Sequence, residues 1–175
     1  MPGAELEVHA EPIDRLLFNF EAGWIRFHDK ISDPTNAGYI DPSVRLQPEW
    51  NASAGVQYAV AFSNGSRVTP RLDWIYQGYL TTGPQNVDQI APNFIQPGYS
   101  LFNASLTYTP DGDKWDVSLQ ALNLFNKFYW EQLGSESSLV NSGAPPTSSN
   151  LYPAVGQVGT PGLPREWMLR FRWNL

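Results

Sequence analysis

Residues 167–175 read WMLRFRWNL, and large apolar side chains occupy every second position of this stretch. The positions between them hold Met168, Arg170, Arg172 and Asn174. A period of two residues is typical of a β-strand that has one apolar and one polar face. An apolar face of this size forms a core in a soluble sheet and faces lipid in an outer-membrane barrel. Its members are Trp167, Leu169, Phe171, Trp173 and Leu175.

The composition of the 175 residues argues against several classes of function. The net charge of −6 argues against a nucleic-acid surface, which normally contains a basic patch. The sequence has no Cys for disulfides or thiolate metal sites, and neither His9 nor His28 has a second His or a carboxylate at metal-ligand spacing. No Ser lies in a strand-turn-helix elbow, where it would be a nucleophile. We therefore expect no nucleic-acid partner, no metal or other cofactor, and no enzymatic activity.

Six further segments alternate in the same way, so the sequence predicts seven strands. No segment has the three-to-four spacing of an amphipathic helix, and no apolar run is long enough for a membrane helix. We therefore predict an all-β chain with an antiparallel, up-and-down sheet. The six segments are ELEVHA (5–10), LLFNFEAGWIR (16–26), WNASAGVQYAVAF (50–62), RVTPRLDWIYQGY (67–79), YSLFNASLTY (99–108) and KWDVSLQAL (114–122).

The connections between these segments alternate between short and long. Transmembrane barrels have this pattern, with short periplasmic turns and long extracellular loops. A soluble domain with three structureless loops of such length would be unusual. We therefore predict a transmembrane β-barrel segment, and a soluble β-sandwich remains the alternative. The short connections are 11–15, 63–65 and 110–113, and the long ones cover about 28–49, 80–98 and 130–164.

The alternation also predicts turns and faces, because directly paired residues point to the same side of a sheet. Between the third and fourth segments this requires a three-residue turn, Ser63 to Gly65, with Gly65 in the left-handed conformation and Phe62 opposite Ser66. Between the fifth and sixth it requires an even-length loop, which 110–113 provides. We expect lipid to contact Phe18, Phe20, Trp24, Val56, Tyr58, Leu72, Trp74, Leu106, Val117, Leu119 and Phe171, and the opposite side to carry Asn19, Gln57, Asp73 and Gln120.

The pairing of the last two strands follows from the same parity. Both segments carry apolar residues at odd positions, so the numbers of paired residues must sum to an even value. The chain ends, and the sixth segment begins, at the presumed periplasmic side. The pairs expected from this geometry are Trp115 with Trp173 or Leu175, Asp116 with Arg172 directly or diagonally, and Arg170 near Ser118.

Residues 101–130, LFNASLTYTPDGDKWDVSLQALNLFNKFYW, resemble the penultimate hairpin of TonB-dependent outer-membrane receptors. In that family a Leu-x-Asn-Ala-x-Leu-x-Tyr strand leads through a turn to a Trp-x-Val-x-Leu strand and an Asn-Leu-Phe motif. Residues 159–175 are similar to the family's Gly-x-Pro-Arg terminal strand, although Leu175 replaces the usual Phe or Trp, and residues 3–25 resemble an upstream hairpin. The motif residues here are Asn123, Leu124, Phe125, Asn126 and Tyr129.

The resemblance implies that residues 1–175 are the C-terminal part of a receptor barrel. Family members have about 22 strands around an N-terminal plug. We expect about seven strands here, no plug and no signal peptide, and therefore an incomplete barrel with two open edges. The implied location is the outer membrane of a Gram-negative bacterium. The implied partners are outer-membrane lipid, the barrel assembly machinery through the terminal strand, and the TonB system only through the missing plug.

The implied function of the parent is import of a scarce nutrient, such as a metal chelate, a vitamin or an oligosaccharide, with energy from the TonB system. The identity of the transported solute does not follow from the sequence. Two alternatives remain open. One is a small passive outer-membrane pore or adhesin assembled from several copies, and the other is a soluble β-sandwich binding module.

The charged residues of the polar positions are expected to line the lumen. Glu5, Glu7 and Glu21 form an acidic patch that either guides a cationic solute or pairs with basic groups of a missing plug or strand, and we favour the pairing. The remaining lumen charges are Arg71, Asp73, Asp116, Arg170 and Arg172. Three roles are open for the aromatic residues in or beside the long loops. They either bind solute, form a girdle at the membrane interface, or pack against one another within the loops. They are Tyr39, Tyr99, Phe128, Tyr129, Trp130 and Tyr152.

Overall fold

Twelve strands make up the regular structure in this computed structural model, which describes residues 2–26, 47–81, 95–135 and 157–174. None of the described residues forms a helix long and apolar enough to span a membrane. The strands are β1 (Gly3–Ile13), β2 (Leu16–Ile25), β3 (Trp50–Tyr58), β4 (Val60–Ala61), β5 (Arg67–Gln77), β6 (Leu80–Thr81), β7 (Ile95–Gln96), β8 (Tyr99–Thr109), β9 (Trp115–Leu122), β10 (Trp130–Ser135), β11 (Gln157–Pro161) and β12 (Glu166–Trp173).

The seven longer strands of the main sheet lie in the order β1-β2-β3-β5-β8-β9-β12, and every neighbouring pair is antiparallel. Each strand therefore lies beside the next long strand along the chain, which confirms the predicted up-and-down topology. β1 and β12 are the two edges, and no ladder joins them in the described residues. The sheet is open, as predicted.

Successive side chains along each strand point to opposite faces of the sheet. The register places side chains of the same face beside each other on neighbouring strands, so rows of one character cross the whole sheet. The apolar face carries a continuous row made of Ala10, Phe18, Val56, Leu72, Ala104, Ala121 and Trp167. The adjacent row belongs to the polar face and is made of Leu17, Gln57, Arg71, Ser105, Gln120 and Met168. The predicted division of residues between the two faces is therefore confirmed.

Both predicted turns are present. Gly65 has a φ of 84°, its N–H donates to the Phe62 carbonyl at 3.1 Å, and the Phe62 N–H donates to the Ser66 carbonyl at 2.9 Å. Gly is favoured at such a position because it has no Cβ. In the second turn the Asp113 N–H donates to the Pro110 carbonyl at 3.3 Å, and Gly112 has a φ of 74°. The hairpin register sums to an odd value, such as Tyr108 with Val117, as an even-length loop requires.

The prediction of one unbroken strand over residues 50–62 is wrong, because that segment is divided into β3 and β4 at Ala59. The register with β5 is the same on both sides of the break, from Gln57 opposite Arg71 to Val60 opposite Val68. This register places Pro70 opposite Tyr58. Proline has no N–H to donate to a ladder, so the pairing is interrupted there.

Two of the predicted long loops contain additional strands. β6 pairs with β7, and β10 pairs with β11, each as a small antiparallel ladder separate from the main sheet. The interpretation of 80–98 and 130–164 as loops without secondary structure is therefore wrong at their ends. Most of the remaining predicted loop residues, and the whole of 28–46, lie outside the described part of the chain.

Burial is concentrated where β9 lies between β8 and β12. Ala121 is the buried hydrophobic residue among those described, with 2% of its surface exposed. The polar residues Asp116, Ser118 and Asn123 are also buried. Large apolar side chains remain exposed on the apolar face, including Leu106, Leu119 and Phe171. The described sheet thus has no extended hydrophobic core of its own.

Candidate functional site: the two faces of the sheet

A cluster of five residues, the Arg71 cluster, lies on the polar face and consists of Asn19, Gly55, Gln57, Arg71 and Asp73. The Arg71 guanidinium donates to both carboxylate oxygens of Asp73, with 2.9 Å between Nε and Oδ2. It also donates to Gln57 Oε1 at 3.1 Å and to Asn19 Oδ1 at 3.5 Å. These contacts use three strands, because β2, β3 and β5 are neighbours. A bidentate pair of this kind fixes the direction of the guanidinium.

Gly55 makes room for that cluster. A Cβ at this position would lie 2.7 Å from Asp73 Oδ1 and 2.8 Å from Arg71 Nη2, and it would also clash with Asn19 Oδ1. The sequence prediction included Arg71 and Asp73 but missed Asn19, Gln57 and Gly55 as their partners. The available signal was a Gly inside a strand pattern, which often marks close approach of another group.

The second charged cluster confirms the predicted register of the terminal strand. Asp116 lies directly opposite Arg172, and Arg170 lies directly opposite Ser118. Arg172 Nε is 2.6 Å from Asp116 Oδ2, and only 3% of the Asp116 side chain is exposed. The Ser118 hydroxyl is hydrogen bonded to the Thr107 hydroxyl at 2.9 Å. The Arg172 side chain, 59% exposed, covers the carboxylate on the polar face.

The acidic patch lies at the other end of the sheet, on β1 and β2. Glu7 and Glu21 are directly opposite each other, and Glu5 is opposite Gly23 on the same face. Like charges placed directly opposite each other destabilise a sheet. The His9 ring Nε2 is 2.7 Å from Glu7 Oε1, so the imidazole is the nearest partner of one carboxylate.

Ligand atoms of Glu7, His9 and Glu21 lie within 4.8 Å of one another, and all three side chains are exposed. Metal-ligand spacing along the sequence did not indicate a carboxylate partner for His9, whereas the fold brings Glu7 and Glu21 close to its ring. Glu21 is distant along the chain and reaches His9 only through the β1–β2 pairing. The donor set of one imidazole and two carboxylates suits a divalent cation. The group is exposed, and no further His or carboxylate of the described residues joins it, so it is treated as a feature of the acidic patch.

The terminal strand presents its apolar side chains outward from the sheet. Leu169 is 73% exposed, and Trp167, Phe171 and Trp173 are also exposed. Phe171 contacts Trp115 and Trp173 through its ring, so neighbouring aromatics cover one another partly. Leu175, the last member predicted for this face, lies outside the described residues.

Comparisons with known proteins agree with this geometry. The family model described as TonB dependent receptor-like, beta-barrel matches residues 2–124. The chain belongs to the TonB-dependent receptor family. A solved structure, the ferric yersiniabactin uptake receptor FyuA from Yersinia pestis, is similar in fold with a TM-score of 0.73 and 18% identity. The similarity covers 98% of this chain and 23% of that receptor, so this chain spans less than a quarter of its length. A comparison with curated proteins gives no match.

Asn123 of the Asn-Leu-Phe motif organises the chain after β9 of this TonB-dependent receptor barrel. Its φ is 47°, a left-handed conformation that Asn tolerates better than most residues. Its side-chain amide donates to the Lys127 carbonyl at 2.9 Å and to the Leu163 carbonyl at 3.0 Å. Its Oδ1 accepts from the Lys127 N–H at 2.8 Å, and its own N–H donates to Asn103 Oδ1 at 2.9 Å. The residue thus links β8, the bend after β9 and the segment before β12.

The other motif residues extend this link. Asn126 has a φ of 52°, and its Oδ1 accepts from the Arg165 N–H at 2.9 Å. The Leu124 N–H donates to the Phe102 carbonyl at 2.7 Å, and the Phe125 ring contacts the Phe102 ring edge-on. The motif is therefore a structural bend that is hydrogen bonded to the segment immediately before the terminal strand.

Tyr129, the last motif residue, belongs to an aromatic group near the long connections. Its ring stacks on Tyr99 with 4.6 Å between ring centroids and lies directly over Gly162, where a Cβ would clash with it. Phe128 and Trp130 form an edge-to-face pair at 5.1 Å. These contacts favour packing roles for the described aromatics, whereas Tyr39 and Tyr152 lie outside the described residues.

Proposed function

We propose that residues 1–175 are the C-terminal part of the barrel wall of an outer-membrane receptor. The observation that carries this proposal is the opposite character of the two faces. The apolar face exposes large aliphatic and aromatic side chains along every long strand, and the polar face carries hydrogen-bonded ion pairs. A lipid-facing exterior and a hydrated interior account for both at once.

The two edges of the sheet support the participation of further strands. In hydrocarbon, each unpaired backbone N–H or C=O group costs several kcal/mol, so an open edge is not tolerated there. β1 and β12 each present a full edge without a partner in the described sheet. The similarity to only 23% of a solved receptor agrees with a barrel completed by additional strands.

The proposed activity of the complete receptor is energy-dependent import of a scarce nutrient. Energy would come from the TonB system through a plug inside the barrel, and insertion would involve the barrel assembly machinery at the terminal strand. The solved relative is named for uptake of ferric yersiniabactin. A metal chelate is therefore the first of the three nutrient classes to test, before vitamins and oligosaccharides.

Seven of the eight lumen charges divide into two groups in this proposal, and Arg170, which lies opposite Ser118, belongs to neither. The Arg71 cluster and the Asp116–Arg172 pair are neutralised by partners within the wall. Glu5, Glu7 and Glu21 have no Arg or Lys partner among the described residues. The acidic patch is therefore the part of the wall that would pair with basic groups of a plug or of an adjoining strand.

Cysteine labelling tests the orientation of the wall directly, because the chain has no native Cys. Single variants Leu119→Cys and Gln120→Cys place a thiol on adjacent residues of opposite faces. In isolated outer membranes we expect a water-soluble maleimide to label Gln120→Cys and to leave Leu119→Cys largely unmodified. Equal labelling of both variants, or recovery of the protein in the soluble fraction, would contradict the proposed barrel wall.

Transport is tested separately by uptake of labelled ferric chelates in cells that express the receptor, with and without TonB. Uptake that requires both proteins supports the proposed activity. Solute leakage that is independent of TonB and accompanies a multi-copy assembly would instead support a passive pore.

A further inference from the structure

A groove of about 480 Å³ lies on the polar face beside the Arg71 cluster, across strands β1, β2, β3 and β5. His9 and Glu11 line it from β1, and Leu17 adds an apolar side chain from β2. The groove volume lies within the range of small-molecule sites. Members of the Arg71 cluster complete the lining, namely Asn19, Gln57 and Arg71.

Arg71 fixes the orientation of two carboxamides in this groove. Gln57 Oε1 at 3.1 Å and Asn19 Oδ1 at 3.5 Å face the guanidinium, which can only donate. The reverse orientation of either carboxamide would place two donors against each other. Each NH2 group is therefore turned away from Arg71. Asn19 lies opposite Gly55, two residues before Gln57, so the two carboxamides are diagonal neighbours on adjacent strands.

The charges around the groove favour a neutral ligand. The Arg71 guanidinium repels a cation, and its pairing with both carboxylate oxygens of Asp73 leaves it little capacity for an anion. The Glu11 carboxylate, which accepts from the Arg15 N–H at 3.2 Å, lines the groove and repels an anion. A carbonyl oxygen accepts hydrogen bonds without a net charge. The two NH2 donors and Leu17 together fit an amide carbonyl with an adjoining alkyl group.

We propose that this groove binds an amide, whose carbonyl oxygen accepts from the NH2 groups of Asn19 and Gln57 and whose alkyl part packs on Leu17. The inference rests on the proposed function, because it assigns a subsite to the lumen wall of the receptor. Two sources supply this chemistry, a peptide segment inside the barrel and a solute that contains amide groups. Arg71 is a positioning residue, since it fixes the direction of both carboxamides.

Nuclear magnetic resonance of the complete receptor in detergent, with isotope-labelled Asn and Gln side chains, tests the two donors. The probes are N-acetylglycinamide, which is neutral, acetate, which is an anion, and methylammonium, which is a cation. In an open groove we expect N-acetylglycinamide to shift the NH2 signals of Asn19 and Gln57 in a saturable way. The two ions should leave both signals unchanged at the same concentration. Equal shifts with all three probes would overturn the proposal.

Isosteric acids separate the effect on the ligand from the effect on the wall. Asn19→Asp and Gln57→Glu keep the oxygen that faces Arg71 and replace the NH2 donor by a second acceptor. Each should weaken N-acetylglycinamide binding at least about fivefold, the loss of one hydrogen bond, without lowering the free energy of unfolding. Gln120→Glu makes the same change on the polar face outside the groove and should alter neither quantity. Unchanged binding in both groove variants, or equal weakening in the control, would contradict the site.

A photoactivatable benzophenone in place of Leu17 distinguishes the two sources in the complete receptor. If a peptide segment of the same receptor fills the groove, the probe shifts neither signal. Irradiation then joins position 17 to a segment outside residues 1–175, and the yield falls in Asn19→Asp. If the groove is open to solutes, the probe shifts both signals and no such product forms. A receptor that gives neither the shift nor the crosslinked product would refute the amide site.

The two proposals fail in different ways. Protein that is absent from the outer-membrane fraction contradicts the barrel wall itself. Protein that is inserted, with Leu119→Cys protected from maleimide, and yet gives neither the shift nor the crosslinked product contradicts the amide site alone.

Discussion

The two faces of the sheet are built from the same strands but differ in how their side chains are satisfied. On the polar face, Arg71 and Asp73 contact each other and residues of two further strands. On the apolar face, Leu119 is flanked by Leu106 and Leu169, and all three remain at least 47% exposed. The Arg71 cluster thus satisfies its charges within the wall, whereas the apolar face requires an external apolar medium.

The largest effect is expected from a charge placed on the apolar face. Leu119→Arg should lower the free energy of unfolding in lipid vesicles by about 2–4 kcal/mol, the cost of a cation at the midplane of a barrel exterior. Gln120→Arg, one residue away on the polar face, is the control and should change stability by no more than about 0.5 kcal/mol. Denaturant titration of both variants in the same vesicles makes the measurement. Equal losses would remove the distinction between the faces.

The next largest effect concerns the buried polar link at the end of the sheet. Asn123→Ala removes three side-chain hydrogen bonds and places Ala at a positive φ, so we expect a loss of about 2–3 kcal/mol. Asn123→Gly keeps the backbone conformation accessible and removes the same bonds. If the Gly variant loses less stability than the Ala variant, the difference between them is the cost of backbone strain, and the loss in the Gly variant is mainly that of the hydrogen bonds. No loss in either variant would contradict a structural role for the motif.

A methyl group added under the Arg71 cluster should lower the free energy of unfolding by an intermediate amount. Gly55→Ala forces the Arg71 cluster apart, and we expect a loss of about 1–3 kcal/mol. Gly23→Ala is the matched control, because it lies on the same face and nothing lies within 4 Å of its added Cβ. The control should be neutral or slightly stabilising in denaturant titration. Similar losses in both variants would show that Gly is needed for strand geometry rather than for space.

The alternation of apolar and polar residues was sufficient to predict which side chains share a face of the sheet and how neighbouring strands are paired. The register between β9 and β12 was predictable because a shift of one residue would move Phe171 and Arg172 to the wrong sides. The break at Ala59 was missed because it depends on Pro70 of the opposing strand. The His9–Glu21 proximity and the Arg71 cluster were missed for the same reason, since both require partners that pairing brings from other strands.

The smallest predicted effect compares two ion pairs that differ in burial. Arg172 and Asp116 are joined at 2.6 Å with the carboxylate 3% exposed, whereas Arg67 and Asp113 are joined at 2.7 Å with the carboxylate 60% exposed. Solvent screens the second pair more strongly, so its coupling energy should be about 0.2–0.5 kcal/mol. The first should reach about 1 kcal/mol and no more, because its guanidinium remains 59% exposed.

Double-mutant cycles with Arg→Gln and Asp→Asn substitutions measure both couplings from the free energies of unfolding in vesicles. High salt should reduce the Arg67–Asp113 coupling more than the Arg172–Asp116 coupling, since buried charges are screened less. Two couplings of equal size and equal salt dependence would mean that water reaches Asp116 as freely as Asp113. In that case burial would add nothing to the Arg172–Asp116 coupling, and this ion pair would hold β12 in register no more strongly than an exposed pair does.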